Sequence, residues 1–544
     1  MSDSDLLLQG HAFLPRLPED RTIITASDAA RLALSRPGLT ALVGAEGSGP
    51  ALVAQALAAQ ATRQVVYLVA NNDAAQLAAG DLAALSKGLP LAHLPKQRLS
   101  APLVLAPSES TPYAEVHGDR RATMLRTAAL CELLAAPERS PLVLTAGALL
   151  RRVPPRQALR EATLTISVEQ ELDVVALSQR LTSAGYLRTP VVEDPGSYAL
   201  RGGIVDLWPG QLPAPIRIEM YGDLVASLKI FDPDDQRTQN AVERVIAPPA
   251  RDAIVTPQTE ARARDVLRSL CDAVNFPSTK TRSLIDDLAT GRAFFGSDGY
   301  LPAFYELESV FDYLAPDAVF VIDDPIAVVR SIHEELERGL AGEAARRGTP
   351  HFPVRALYLS QNEVEAQLGA HSLLALHRTA IAAPPSESVL ENLQSAPPDA
   401  QSLAFSDLAD LARAVKGART EHGKQGALEP LLERVRAYLD AGLEIVICAR
   451  TETQAERLAA LLSHRGTPVM VWRADSELTR DTQVRIVTAP LARGVLAPAA
   501  GFVLITEEEI FGSRAHRPAE KKRSARAMLQ DLRALSVGDY VVHV

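Results

Sequence analysis

The short run Leu39–Val43 leads straight into Gly44-Ala45-Glu46-Gly47-Ser48-Gly49-Pro50-Ala51, and an Ala-rich stretch to Ala61 follows. A strand, a glycine-rich turn and a helix in that order point to parallel α/β layering. A parallel strand needs a crossover, usually helical, to reach its neighbour. The pattern then repeats: Gln64–Val69 reads as the next strand, Ala74–Leu85 as a second helix and Pro141–Thr145 as a later strand. Hydrophobic residues make up 47% of the 544, enough for several cores, and length alone implies roughly three to four domains. Aromatics are few, so Ala and Leu carry the burial, as helix-rich α/β folds allow.

From about Pro155 to Ala247 the texture changes to strands separated by turn residues. Ala199–Trp208, Ile216–Tyr221 and Val225–Phe231 read as strands, punctuated by Asp194-Pro195-Gly196, Pro209-Gly210 and Tyr221-Gly222-Asp223. Ala318–Ile322 is a further buried strand. The Pro/Ser/Ala-rich stretch Ala383–Ser402 reads as a linker. Beyond it, the helices Leu428–Leu439 and Thr453–Ser463 alternate with strands at Glu444–Cys448, Val469–Trp472, Val484–Thr488 and Phe502–Thr506. Gly512–Val544 carries seven Lys/Arg against three Asp/Glu, with a helix ending near Leu535 and a strand opening at Asp539.

The Gly44–Ala51 turn is spaced like the phosphate loop G-x-x-x-x-G-K-[ST], but Pro50 stands at the Lys position and Ala51 at the hydroxyl position. Charge for the phosphates, a ligand for Mg²⁺ and one backbone N–H are lost together, so no nucleotide is expected at Gly44, Gly47, Gly49, Pro50 and Ala51. Asp323-Asp324, after an apolar strand, read as helix caps, and Thr506-Glu507-Glu508-Glu509 as a solvated acidic turn. No H-E-x-x-H or G-x-S-x-G occurs, so neither a zinc peptidase nor a hydrolase elbow is indicated, and no metal is expected. The net charge of -10 argues against a surface that wraps nucleic acid. Lys521-Lys522-Arg523 reads as a solvated helix face, with contact to DNA or RNA as its alternative. Cys131, Cys271 and Cys448 are too far apart for a zinc knuckle or redox pair. With no basic leader and no run of about 18 apolar residues, a soluble cytoplasmic chain with no membrane contact is expected. Arg180, Arg188 and Arg201 are the better candidates for a site, converging near an exposed Tyr198 or Trp208 as an Arg/aromatic interface.

An ordered set of strings then narrows the reading: Gly185-Tyr186-Leu187-Arg188, Gly196 to Pro209 (GSYALRGGIVDLWP), Arg217 to Asp223 (RIEMYGD), Phe231 to Thr238 (FDPDDQRT), Gly299 to Tyr305 (GYLPAFY) and Leu535 to Val544 (LSVGDYVVHV). Together they resemble the N-terminal part of the bacterial transcription-repair coupling factors, the Mfd family, and more distantly the excision-repair helicase UvrB. The resemblance implies a degenerate helicase-like α/β domain split around an inserted α+β domain that binds UvrA, followed by a separate α/β domain. On that reading 1–154 and 248–380 are the split domain and 155–247 the insert. A linker at 381–402 precedes the separate domain at 403–510. Residues 511–544 form a basic helical linker and the first strand of the RNA polymerase-interacting domain. Arg188 and Arg201, with Arg180 and Trp208 in support, are the implied UvrA contacts. The short Pro107–Asp119 segment leaves no room for the DNA-clamping hairpin of UvrB. The family's motor, with its ATP and Mg²⁺, is expected beyond Val544, so this chain is read as a non-catalytic recruitment module with weak or absent DNA and polymerase binding. The rival reading is a UvrB-like, nucleotide-dependent helicase subunit.

Overall fold

A computed structural model describes residues 13–15, 21–91, 100–107, 110–114, 119–136, 141–289, 297–426, 428–473 and 484–512. The expected polymerase-binding strand and the Lys521-Lys522-Arg523 cluster lie outside these residues. The architecture is mixed α/β, built on three main sheets.

The first sheet is wholly parallel. Leu39–Leu42 (β1), Val65–Val69 (β2), Leu103–Leu105 (β3) and Leu142–Thr145 (β4) come from the first part of the chain. Val319–Asp323 (β13) and Ser372–Leu376 (β14) come from much later, and the strand order is β1-β14-β13-β2-β4-β3. Strands β2, β4 and β13 are apolar almost throughout because helices cover both faces. Ala26–Ser35, Gly49–Gln60 and Asn72–Ser86 pack on one side; Arg120–Ala135, Ala146–Leu150 and Pro325–Ala345 pack on the other.

Between β4 and β13 the chain leaves for a second sheet. Leu164–Ser167 (β5) and Arg244–Ala247 (β12) pair antiparallel, Leu164 opposite Ala247, so the excursion starts and ends at one place. Within it Leu187–Arg188 (β6), Ser197–Arg201 (β7), Ile204–Leu207 (β8), Ile216–Tyr221 (β9), Leu224–Phe231 (β10) and Thr238–Val242 (β11) form a sheet in that spatial order. Ala199–Trp208 is therefore not one strand. Gly202, at φ +58, turns it into the hairpin β7–β8, a conformation that an L side chain rarely adopts. The helix Val174–Ser183 covers one face through Leu177 and Leu181.

The last sheet comprises Glu444–Ala449 (β15), Met470–Val471 (β16), Val484–Thr488 (β17), Val495–Ala497 (β18) and Phe502–Thr506 (β19), in the order β16-β17-β15-β19-β18, with only β18 antiparallel. It shares one apolar cluster with the first sheet: Leu52 and Ala56 belong to the same core as Val446, Val487 and Leu504. The stretch expected as an open linker is packed instead. Leu390, Leu393 and Ala396 are buried, and Ser402 bridges to both Ile23 and Val43. Its Pro and Ser residues hid a short helix, Val389–Leu393, capped by Ser388. The acidic turn Thr506–Glu509 is likewise not solvated. Glu509 is buried in a capping box with Thr506 and accepts the Gly494 N–H at 2.9 Å.

Where the two parallel sheets meet, buried Asp81 accepts the Ala492 N–H at 2.6 Å, and Arg485 donates to Pro90 O and Glu444. Burial pushes the Asp81 carboxyl up to about 7; the Ala492 N–H and Arg493 oppose the rise, and Asp323 and Glu508 add to it. Unfolded Asp ionises near about 4, so the folded state loses stability as pH rises from there to about 7 and stays level above. Asp81→Asn keeps the acceptor oxygen and removes the charge. It is expected to stabilise by a few kcal/mol, on the order of 2–4, at pH 8 and hardly at pH 4, read by urea unfolding at both pH values. An equal effect at both values would contradict the assignment.

Candidate functional site

Two places drew attention in the sequence, and the folded chain treats them differently. At the glycine turn, three of the N–H groups are engaged by the protein. Gly44 N donates to Arg378 O, Ala45 N to His377 O and Gly49 N to Glu46 O. Pro50, at the start of the helix Gly49–Gln60, has none to give. Neighbouring segments also press in. A Cβ on Gly47 would lie 2.1 Å from Gly494 O, and one on Gly49 2.3 Å from the Phe405 ring. The residues present do not fit a nucleotide's phosphates. Of the acidic pair only Asp324 is a cap, accepting the Ala327 N–H at the start of the helix Pro325–Ala345; Asp323, half-buried at the end of β13, instead accepts the Tyr67 hydroxyl at 2.8 Å.

The second place is the edge of the inserted sheet. Gly185, at φ +91, ends the turn after the helix Val174–Ser183, and Tyr186 anchors it by donating to Pro248 O at 2.7 Å. The chain then enters β6, the edge strand, where Arg188 pairs with Tyr198 in parallel register and is exposed. Arg201 closes β7, is exposed, and donates from Nε to Pro190 O at 3.1 Å, just past β6. Residues paired in register share a face, so Arg188 lies on the helix-covered side of Tyr198 while Arg201, three residues on, takes the opposite side. The two arginines thus flank one strand edge from either face. Arg180 stands apart, exposed on the helix, with Nη2 donating to Glu161 O at 3.3 Å.

The aromatic half of the expected patch is inside. Tyr198 is 1% exposed, its hydroxyl bonded to Ser178 and Thr182, because the helix covers that face. Trp208 is 5% exposed and packs with Val192, Ala199 and Phe231, its Nε1 donating to Leu212 O at 3.1 Å. Both were expected at the surface; both belong to the core. Period-two alternation identifies the faces but not which of them a helix or loop will cover.

One arginine that sequence reasoning passed over does structural work. Arg217 holds Asp206, 1% exposed, through two hydrogen bonds of 2.7 and 2.9 Å and lies 4.5 Å over the Phe231 ring. Its place directly opposite Asp206 follows from the β8–β9 register, which no local pattern specifies.

Comparison with known proteins follows the same lines. Residues 164–252 match the UvrB interaction domain, which takes in the inserted sheet and both its closing strands. Over nearly the whole chain, similarity runs to transcription-repair-coupling factors. That of Myxococcus xanthus is 31% identical over 495 residues, covering 88% of this chain and 39% of the relative. The chain is similar to one part of the transcription-repair-coupling factors. The coupling factor of Bacillus subtilis (strain 168) is 24% identical over 523 residues, covering 92% and 41%; that of Mycobacterium tuberculosis (strain CDC 1551 / Oshkosh) is 26% identical over 526 residues, covering 93% and 40%. The chain spans about two fifths of the length of these relatives. Among the described residues, no group of three or more His, Cys, Asp or Glu could hold a metal, and no helix is long and apolar enough to cross a membrane.

The geometry separates two kinds of arginine. Arg217→Ala strands a buried carboxylate and is expected to cost about 3–5 kcal/mol. Arg188→Ala and Arg201→Ala, at exposed positions, should change stability by no more than about 0.5 kcal/mol. Chemical denaturation of the three variants checks this, and a strongly destabilised Arg188→Ala would make that residue structural.

Proposed function

We propose that this chain is the recruitment module of a transcription-repair coupling factor, and that the inserted domain binds UvrA through Arg188 and Arg201. The observation that carries the reading is the pair of exposed guanidiniums flanking the edge strand β6, inside the residues matching the UvrB interaction domain. An edge of only two residues offers little backbone for strand addition, so recognition falls to side chains. A guanidinium fork holds a carboxylate by two charge-assisted hydrogen bonds, which suits an acidic partner surface. Arg180, exposed on the helix Val174–Ser183 and apart from that edge, is a secondary contact in this reading. Trp208 contributes from inside by holding β8 against Phe231.

Truncation of either arginine at the centre of such an interface costs about 2 kcal/mol, close to thirtyfold in affinity. Calorimetric titration of UvrA into the chain and its Arg188→Ala and Arg201→Ala variants is expected to read that loss, with Arg180→Ala weaker by only severalfold. Wild-type affinity in both folded variants would move the surface elsewhere.

In this reading the module performs no ATP chemistry; the motor activity of the coupling factors belongs to parts of those proteins that this chain does not match. Pro50, Ala51 and the internally engaged N–H groups of the glycine turn support it. They weigh equally against a UvrB-like, nucleotide-dependent helicase subunit. Calorimetry with ATP and Mg²⁺ should show no binding in the micromolar range. Micromolar binding abolished by a Gly47→Val substitution would restore the helicase reading.

A further inference from the structure

Strand β6 has only two residues and lies outermost in the inserted sheet, so few bonds of its own fix its angle. On one side β7 holds it: Leu187 N donates to Gly196 O and Thr189 N to Tyr198 O, each at 2.9 Å. The turns leading into β6 and β7 pass through Gly185 at φ +91 and Gly196 at φ +80, left-handed conformations that glycine adopts freely. A residue from outside the insert bridges these two turns. Arg120 opens the helix Arg120–Ala135 of the first α/β unit, and its Nη2 donates to Gly196 O at 2.7 Å and Gly185 O at 3.2 Å. Gly196 O therefore receives both the Leu187 N–H and the guanidinium. The approach is close, since a Cβ on Gly196 would stand 2.8 Å from Arg120 Nη2 and 2.6 Å from Met124 Sδ. Burial lowers the Arg120 pKa, and Asp194, in the turn before Gly196, opposes that fall in favour of the charged form. A charged donor holds a carbonyl more strongly than a neutral one does.

We infer that Arg120 is a positioning residue for the partner edge: by tying the entry of β6 to the entry of β7, it holds Arg188 and Arg201 at a fixed separation before the partner arrives. The inference rests on the UvrA reading of that edge. Arg120 acts through the backbone of the two strands and not on the partner itself. A strand left free to swing is competent for only part of the time, and apparent affinity falls by that fraction. The insert is then not self-sufficient, because a side chain of the α/β unit sets how well its edge binds.

Two measurements on the whole chain test this: hydrogen exchange of residues 185–189 in the free protein, and calorimetric titration with UvrA. Arg120→Gln is expected to speed exchange of that segment by about fivefold or more and to weaken UvrA binding by about tenfold, at an unchanged melting temperature. Arg120→Lys keeps a charged donor in place of the one nitrogen that makes both bonds, and is expected to hold exchange and affinity within about threefold of wild type. Wild-type affinity in Arg120→Gln, with Arg188→Ala still weakened, overturns this inference and leaves the UvrA reading standing. Wild-type affinity in both Arg188→Ala and Arg201→Ala removes that reading, and the positioning role with it. Weaker binding without faster exchange makes Arg120 a direct contact and also overturns the inference. If Arg120→Gln fails to fold, Arg120→Lys decides, since any split between its exchange and its affinity contradicts a role through β6.

Discussion

The antiparallel pairing of Leu164–Ser167 with Arg244–Ala247 is the constraint on which the rest depends. It brings the two ends of an excursion of some eighty residues to one point. The first sheet can then be completed by strands that lie far apart in sequence. Strands β13 and β14 then sit between β2 and β1 and pair with their edges. The same closure makes the insert a module with its own core. Its surface can therefore specialise while the parent sheet is unaffected. Arg126 with Asp252, and Arg120 with the Gly185 and Gly196 carbonyls, add side-chain ties across the junction.

Within the insert, burial sorts the arginines by role. Arg217 neutralises a carboxylate that would otherwise sit uncompensated inside the sheet, and removing it breaks the fold before it touches any partner. Arg188 and Arg201 lie at the edge with their heads in solvent. A charge kept in water at a sheet edge contributes little to stability and discourages indiscriminate strand pairing. It remains available to a partner that brings carboxylates. The glycine turn is the opposite case: the Gly44, Ala45 and Gly49 N–H groups are satisfied by the chain's own carbonyls, and neighbouring segments fill the space beside it.

Much of the parallel framework was legible, because strands buried on both faces read as continuous apolar runs, as at Val65–Val69, Val319–Asp323 and Phe502–Thr506. The short strands Leu103–Leu105 and Val495–Ala497 left too little pattern to see. Ser372–Leu376 merged with the helical texture before it. At the candidate site the arginines were readable as residues, but their faces were not. The Gly202 turn had to be known before alternation along β7 and β8 could be followed, and it sends Tyr198 and Trp208 inward. The pairing of Asp206 with Arg217 and the reach of Arg120 to the Gly185 and Gly196 carbonyls come from long-range register and docking, which one sequence does not encode locally.

Hydrogen exchange of the chain with and without UvrA tests the central claim most directly, since it locates the contact without altering a residue. Protection concentrated over residues 185–204, the segment that carries β6, β7 and their turns, is the predicted result. Full UvrA binding with that segment unprotected, and protection instead on the last sheet or beside the Gly44–Ala51 turn, would contradict the account.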